Sequence, residues 1–134
     1  KTFIPPNKIF PIYETSLAVK ESIPARVTFE FSEAPLWQKV TAKEPDVRVV
    51  NKNLITPESS PRVTATIENK SVQTIPRFDV IAIVFDADGN AIAFSKTIVD
   101  SLSKDSSADI VFTWREPFSV PVSKIEILPR LKPN

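Results

Sequence analysis

The chain has 134 residues, a formal net charge of +1, and neither cysteine nor histidine. This length indicates one domain, or one domain and a piece of another, with enough residues to bury a core without disulfides. The missing residue types exclude Ser-His-Asp and Cys-His catalysis and zinc–thiolate sites within the chain.

Charge and glycine content exclude two further classes of function. Positive and negative side chains are interspersed, so no basic stripe is available for nucleic acid, and we expect no nucleic-acid partner. A single glycine, Gly89, leaves no glycine-rich loop to hold a phosphate. The sequence starts at Lys1 and has no apolar run long enough to span a bilayer, so we expect any membrane anchor to precede Lys1.

The first predicted element is the apolar, proline-rich segment TFIPPNKIFPIY at residues 2–13. It fits a strand of a module that begins before Lys1. It also fits a strand that adds to the sheet edge of another subunit.

Alternation of apolar and polar residues predicts most of the strands. Residues 26–31 place Val27, Phe29 and Phe31 on one face, and residues 62–68 do the same with Val63, Ala65 and Ile67. The run FDVIAIVF at 78–85 is apolar on both faces, which is typical of a strand in the middle of a sandwich. It lies in the stretch 77–116, which contains none of the thirteen prolines and therefore suits central strands.

The stretch VFDADGN that follows has two interpretations. Asp86, Asp88 and Asn90 occupy the first, third and fifth positions of a calcium loop. Gly89 stands at the fourth position instead of the sixth, and Thr97 stands where a bidentate glutamate is needed. Asp-Gly between apolar runs is a strong hairpin signal, so the sequence favours a β-turn.

The segment AIAFSKTIVDSLSK at 91–104 fits a strand or a short helix, and its β-branched residues favour the strand. Two more alternating strands follow, with Ile110, Phe112 and Trp114 on one face and then Ile125 and Ile127. Short strands at intervals of about ten residues predict an all-β fold, an immunoglobulin-like antiparallel β-sandwich.

An internal similarity suggests how the chain is divided. Residues 16–35 and 101–117 share Ser-Leu, Lys-acid-Ser, an alternating strand that ends in an aromatic residue, and Glu and Pro. This is either chance or a tandem repeat of about 83 residues. On the second interpretation, residues 1–42 are the C-terminal part of a first β module or a docking segment. Residues 43–134 are then a complete sandwich, with 43–45 as a linker and 56–61 as the loop that leads into it.

Four other features were considered as sites. Asn69-Lys70-Ser71 matches a glycosylation acceptor and also suits a turn. Trp114 fits the core, whereas Trp37 fits packing between modules or an anchor for a partner. The acid pairs Glu30/Glu33 and Asp105/Asp109 fit solvated loops better than a general acid and base. We therefore predict no catalytic, cofactor-binding or metal-binding residues.

From residue 62 onward the chain resembles the FxLYD-type domains of bacterial envelope proteins. The likeness lies in ATIENKS, FDVIAIVFDADGNAIAFSKTIV and SLSKDSSADIVFTW. Phe85-Asp86 takes the Tyr-Asp place, Asn69 and Ser71 the Asn-x-Ser place, and Leu102 the place of the loop leucine. The whole chain is similar to the C-terminal part of membrane-anchored proteins of Patescibacteria-like bacteria. Plant desiccation (LEA-type) domains have a related pattern.

The resemblance implies an extracytoplasmic cell-envelope module, anchored in the full-length protein, that is not an enzyme. Its expected role is structure or protein–protein interaction, with other envelope proteins or further copies bound through strand edges. The alternative is a desiccation or stress-protective domain that shields proteins or membranes. A hydrolase that works with carboxylates alone is a third hypothesis, and it predicts a deep cleft with a strongly shifted Asp or Glu.

Overall fold

The structure is a computed structural model that describes part of the chain, namely residues 4, 9–13, 26–30, 33, 36–39 and 44–132. The chain divides into two compact units, Ile4–Lys43 and a second unit whose main part begins at Glu44. No helix occurs among the described residues. That residues 1–42 are the C-terminal part of a first β module or a docking segment stays a prediction.

Six strands in the second unit form two antiparallel sheets of three strands each. In one sheet the order is β1-β2-β5, and in the other it is β4-β3-β6. The predicted all-β sandwich is thereby confirmed, and its immunoglobulin-like character stays a prediction. The strands are β1 Val47–Ile55, β2 Arg62–Asn69, β3 Ile75–Phe85, β4 Ala91–Leu102, β5 Ser107–Thr113 and β6 Lys124–Arg130.

The core lies between the two sheets and takes alternate residues from each strand. On β2, Val63, Ala65 and Ile67 are buried, as the alternation predicted. Ile110 and Phe112 of β5 are buried beside them, and Ile127 of β6 faces them from the other sheet. Period-two alternation places each of these side chains on one face, so burial of that face selects the register.

Strand β3 is buried on both of its faces, which confirms the prediction for 78–85. Phe78, Val80 and Ala82 belong to the core cluster between the sheets. Ile81 and Ile83 point to the opposite side of their sheet and are also buried, although they are not part of that cluster. The side of the β4-β3-β6 sheet that faces away from the core cluster is called here the outer face, and Ile81 and Ile83 lie buried on it.

Segment 91–104 forms strand β4 up to Leu102, which settles the ambiguity between strand and helix. It pairs with β3 from Ala91 to Leu102, so its backbone groups are satisfied by a ladder instead of by a helical turn. Two of its side chains, Val99 and Leu102, belong to the core cluster, and Val99 lies opposite Phe78.

Two sequence predictions differ from the structure, and one strand was not predicted. Residues 26–30 form no strand, and Val27 and Phe29 are exposed. Residues 56–61 do not lead into the sandwich but connect β1 to β2. The strand that was not predicted is β1, which the alternation pattern did not reveal. Alternation produces a strand only where a neighbouring strand supplies hydrogen bonds to its backbone.

Candidate functional site

The turn between β3 and β4 is built by the side chain of Asp86. Its carboxylate oxygen Oδ1 accepts the backbone N–H groups of Asp88 (3.0 Å) and Asn90 (2.8 Å). Its Oδ2 accepts the side-chain amide of Asn90 at 3.0 Å. Gly89 has φ +82°, a left-handed conformation that glycine adopts without a steric penalty. The predicted hairpin turn is therefore confirmed.

The same hydrogen bonds set the electrostatics of the turn. The side-chain amide of Asn90, followed by its backbone N–H, holds the pKa of Asp86 below its ordinary value. Hydrogen bonds donated to a carboxylate favour its charged form. Asp86 is thus a charged acceptor for the N–H groups of its own turn. In the described part of the chain, no three His, Cys, Asp or Glu side chains lie together in a way that could hold a metal ion.

Asn69 is a fully buried polar side chain at the end of β2. Its amide nitrogen donates to the carbonyls of Gln73 (2.9 Å), Leu102 (2.9 Å) and Ser103 (3.0 Å). Its oxygen accepts the backbone N–H of Ser71 at 2.9 Å and the hydroxyl of the same residue. One side chain therefore joins the end of β2, the bend that follows it and the end of β4 in the other sheet.

This arrangement decides between the two interpretations of the Asn-Lys-Ser triplet. The residues form a turn, as predicted, and the amide of Asn69 is unavailable as a glycosylation acceptor in the folded chain, since it is buried and hydrogen-bonded. The structure also brings Leu102 to the Asn69–Ser71 triplet, a residue that the sequence had singled out separately from it. Phe85 and Asp86 lie elsewhere, at the end of β3.

Trp114 makes a second connection between the sheets, just after β5. Its indole nitrogen donates to the carbonyl of Phe94 on β4 at 3.0 Å. Its ring meets Phe118 edge to face, with centroids 5.2 Å apart and planes at 71°. Trp114 is half-buried and packs against the core cluster, so the prediction that it belongs to the core holds for part of the side chain.

The acid pairs lie in ordinary surface positions. Glu30 and Glu33 are exposed. The carboxylate of Asp109 accepts a hydrogen bond from the hydroxyl of Thr66 at 2.9 Å across the β2–β5 pair. In the β4–β5 connection, the carboxylate of Asp105 lies 3.8 Å from the ammonium group of Lys104. These contacts are those of solvated sheet and turn residues, whose ion pairs contribute about 0–1 kcal/mol each.

The unit Ile4–Lys43 carries several exposed apolar side chains. Residues 9–13 form no strand, and the rest of the predicted segment 2–13, apart from Ile4, lies outside the described residues. Trp37 is 74% exposed, as an anchor for a partner would have to be. Residues 16–25 of the internal repeat also lie outside the described residues. Among the residues that are described, no helix is long and apolar enough to cross a membrane.

The fold and these contacts define a class of protein, a β-sandwich whose conspicuous polar side chains serve turns and links between sheets. Comparison with protein-family models, curated proteins and solved structures gives no match to the chain.

Proposed function

We propose that the chain is a non-enzymatic module of the bacterial cell envelope that serves structure or protein–protein interaction. The full-length protein is held at the membrane by an anchor that precedes Lys1, with this part outside the cytoplasm. Its partners are other envelope proteins or further copies of itself, bound through strand edges or sheet faces. Nucleic acid is not among them.

The observation that carries this proposal is the outer face of the β4-β3-β6 sheet. Next to the buried Ile81 and Ile83, Phe94 and Ile98 are each 44% exposed. Phe94 and Ile98 flank Lys96 on this face, and such a mixture of apolar and charged side chains is compatible with contact with another protein. The polar groups that sequence analysis considered for chemistry, Asp86 and Asn69, are instead engaged in structural hydrogen bonds.

Cell fractionation tests the location and the anchor. An antibody against the chain is used on membrane and cytosolic fractions of the cells that make the protein, before and after protease treatment of intact cells. We expect the full-length protein in the membrane fraction and its loss on external protease treatment. A cytosolic protein that resists the protease would refute the envelope assignment.

The alternative function is protection of other proteins under desiccation or stress. It is favoured by the exposed apolar side chains of the unit Ile4–Lys43, among them Ile9, Leu36 and Trp37. Such groups can cover apolar surface on an unfolding client. The assay is light scattering of an aggregating reporter enzyme with the chain added at equal molar concentration. Suppression of aggregation that a Trp37→Ser variant loses would favour protection over a specific partner.

A further inference from the structure

We propose that the central part of the β4 edge, residues 96–100, pairs with the same residues of a second copy of this chain. The two β4-β3-β6 sheets then join into one continuous sheet across a two-fold axis. This inference rests on the proposed function as an interaction module and names its surface and its partner.

Two hydrogen bonds show which backbone groups of β4 point away from β3. The indole of Trp114 donates to the carbonyl of Phe94, and the side-chain amide of Asn69 donates to the carbonyl of Leu102. Neither donor belongs to β3, so both carbonyls are directed away from it. In an antiparallel ladder every second residue turns its N–H and C=O outward. The outward-facing residues between these two carbonyls are Lys96, Ile98 and Asp100.

The backbone groups of these three residues are open to a further strand. Among the hydrogen bonds within the described part of the chain, none outside the β3–β4 ladder uses the backbone of residues 96, 98 and 100. Their side chains share the outer face, where Ile98 is 44% exposed. Outward N–H and C=O groups on an edge are a template for another strand. The occupied carbonyls at both ends limit that template to about five residues, or about 17 Å.

The sequence of this stretch is complementary to itself. Residues 95–101 read SKTIVDS, which is nearly symmetric in side-chain size and antisymmetric in charge about Ile98. In an antiparallel pair centred on Ile98, Lys96 of each copy lies opposite Asp100 of the other. An interface around a two-fold axis requires this reciprocity, in which residue i meets j and j meets i. The remaining pairs are Ile98 with Ile98, Thr97 with Val99, and Ser95 with Ser101.

The ion pairs that already exist within one copy are compatible with this arrangement. The ammonium group of Lys96 lies 3.8 Å from Asp79, and the carboxylate of Asp100 lies 3.7 Å from Arg77. The Asp100 side chain is 89% exposed, so a second cation can approach it while Arg77 stays in place. In the joined sheet Asp100 stands between Arg77 on β3 and Lys96 of the second copy. The charges along this row therefore alternate in sign.

The same charges disfavour other strands. Opposite charges directly across a strand pair are stabilising, and like charges are destabilising. A lysine on an edge strand protects that edge from pairing with a strand that offers no acid in register. Lys96 and Asp100 together require a partner with an acid and a base four residues apart in the reversed order. A second copy of β4 meets this requirement.

The backbone hydrogen bonds supply the attraction. Residues 96, 98 and 100 lie opposite residues 100, 98 and 96 of the second copy, and each such pair exchanges two hydrogen bonds, which gives about six in all. Phe94 and Leu102 would be the next pair, but their carbonyls already accept hydrogen bonds from Trp114 and Asn69. Pairing therefore stops there, and each copy uses this edge once.

The edges of β6 and β1 are less suited to such pairing. The carbonyl of Ile125 accepts the ammonium group of Lys52 at 3.4 Å, so it faces away from β3. Pro129 is in phase with Ile125 and has no N–H to offer an added strand. On β1, a bulge interrupts the ladder after Val50, which blunts that edge.

The edge of β5 lacks the complementary charges. The backbone N–H of Trp114 donates to the carbonyl of Pro61 beside β2, so the odd-numbered residues of β5 face outward. A two-fold pair centred on Val111 would set Asp109 opposite Thr113, with no cation in that row. The β4 edge is therefore the better surface for association between copies.

The length of the paired stretch sets the expected affinity. One strand of about 17 Å buries much less than the roughly 800 Å² per partner of a standard interface. We therefore expect a weak dimer, with a dissociation constant of about 10–100 µM, which requires measurement at high concentration.

Sedimentation equilibrium of the full chain from about 10 to 500 µM tests the proposal, with two matched proline variants. Ile98→Pro removes the outward N–H at the centre of the edge, where proline is tolerated because β3 does not use that group. Val111→Pro makes the same change at an outward position of β5 that is also 44% exposed. We expect the wild type and Val111→Pro to share one monomer–dimer equilibrium. Ile98→Pro should weaken it about tenfold or more, because two hydrogen bonds are lost.

A mixing experiment tests the register of the two copies. Lys96→Asp and Asp100→Lys each place like charges opposite each other in both rows of their own dimer, so each alone should weaken it about tenfold. In an equimolar mixture, both rows of the mixed dimer pair an aspartate with a lysine, and association should return. The experiment is run at about 0.15 M salt, where attraction between net charges is screened. A role of these side chains within one copy only would not produce association on mixing.

Three results would overturn the proposal. They are a wild type that stays monomeric at about 500 µM, equal association by the two proline variants, and no association when the two charge variants are mixed. If urea denaturation shows that Ile98→Pro does not fold, the mixing experiment decides, because its variants leave the backbone N–H groups in place. Cell fractionation reports the location of the protein and not its pairing, so the two proposals can fail separately.

Discussion

Replacement of Asn69 should destabilise the sandwich more than replacement of any exposed polar residue. Asn69→Ala removes the donor to the carbonyls of Gln73, Leu102 and Ser103, and the acceptor for Ser71. A buried hydrogen bond contributes about 1 kcal/mol, and a buried group that loses its partner costs about 1–3 kcal/mol. With two amide hydrogens and two accepted bonds, we expect a loss of about 3–4 kcal/mol in the free energy of unfolding.

Asn69→Asp should be worse than Asn69→Ala at neutral pH and should recover in acid. The introduced carboxylate would face three carbonyl oxygens with no hydrogen to donate, so its folded-state pKa would be raised. The folded chain then keeps a proton that the unfolded chain releases. Relative to wild type, stability is highest below the unfolded pKa of about 3.9 and falls as pH rises through the folded value.

Urea denaturation followed by tryptophan fluorescence measures both effects, with each variant compared with wild type at the same pH. The matched control is Asn53→Ala, an exposed asparagine on β1, for which we expect a change within about 0.5 kcal/mol. A loss below about 1 kcal/mol for Asn69→Ala, or no pH dependence for Asn69→Asp, would refute the role assigned to Asn69.

Three other predictions concern the core and the β3–β4 turn. Phe112→Ala should cost about 3–5 kcal/mol by urea denaturation, whereas Trp114→Phe, which keeps an aromatic ring but loses one hydrogen bond, should cost about 1 kcal/mol. If Trp114→Phe lowers the free energy of unfolding as much as Phe112→Ala does, the contribution assigned to the indole hydrogen bond is wrong. Gly89→Val should cost about 1–2 kcal/mol through its positive φ alone, because no atom lies within 4 Å of a Cβ built there, and Gly89→Asn should cost less. By NMR titration the pKa of Asp86 should lie below 3.8, so its stabilising contribution is present above that pH and is lost as pH falls through the folded value. Asp86→Asn should remove this part of the pH dependence of the free energy of unfolding. An ordinary pKa for Asp86 in the wild type would contradict the turn geometry.

The elements that could be predicted from the sequence are those with an uninterrupted pattern. Strand β2 alternates without a break from Arg62 to Asn69, and β3 is apolar on both faces, so each pattern has one structural solution. The hairpin turn was predictable because Asp-Gly stands between two such runs.

Strand β1 was missed for a physical reason. Val47 and Val49 pack against the core, and so does Leu54, which has the opposite parity. The bulge between Val50 and Asn53 inserts one extra residue into β1 and so exchanges the two faces of that strand. A search for strict alternation fails across such a bulge, whereas pairing with β2 tolerates it.

The role of Asn69 could not be predicted, because its partners come from residues brought together by the fold. The sequence separation between Asn69 and Leu102 is 33 residues, and their contact requires β2 and β4 to lie in facing sheets. The local pattern reports only that asparagine and serine suit a turn. The same applies to Trp114, whose position on an apolar face predicted burial but not a hydrogen bond to Phe94.

The two links between the sheets also affect how the molecule can associate. Asn69 and Trp114 donate to the carbonyls of Leu102 and Phe94 on β4, so the bonds that hold the sheets together also occupy part of a strand edge. An unprotected edge allows strands to add without limit. A sandwich in which part of the β4 edge is occupied is therefore better suited to limited, specific contact. That property fits an interaction module better than a scaffold that grows by strand addition.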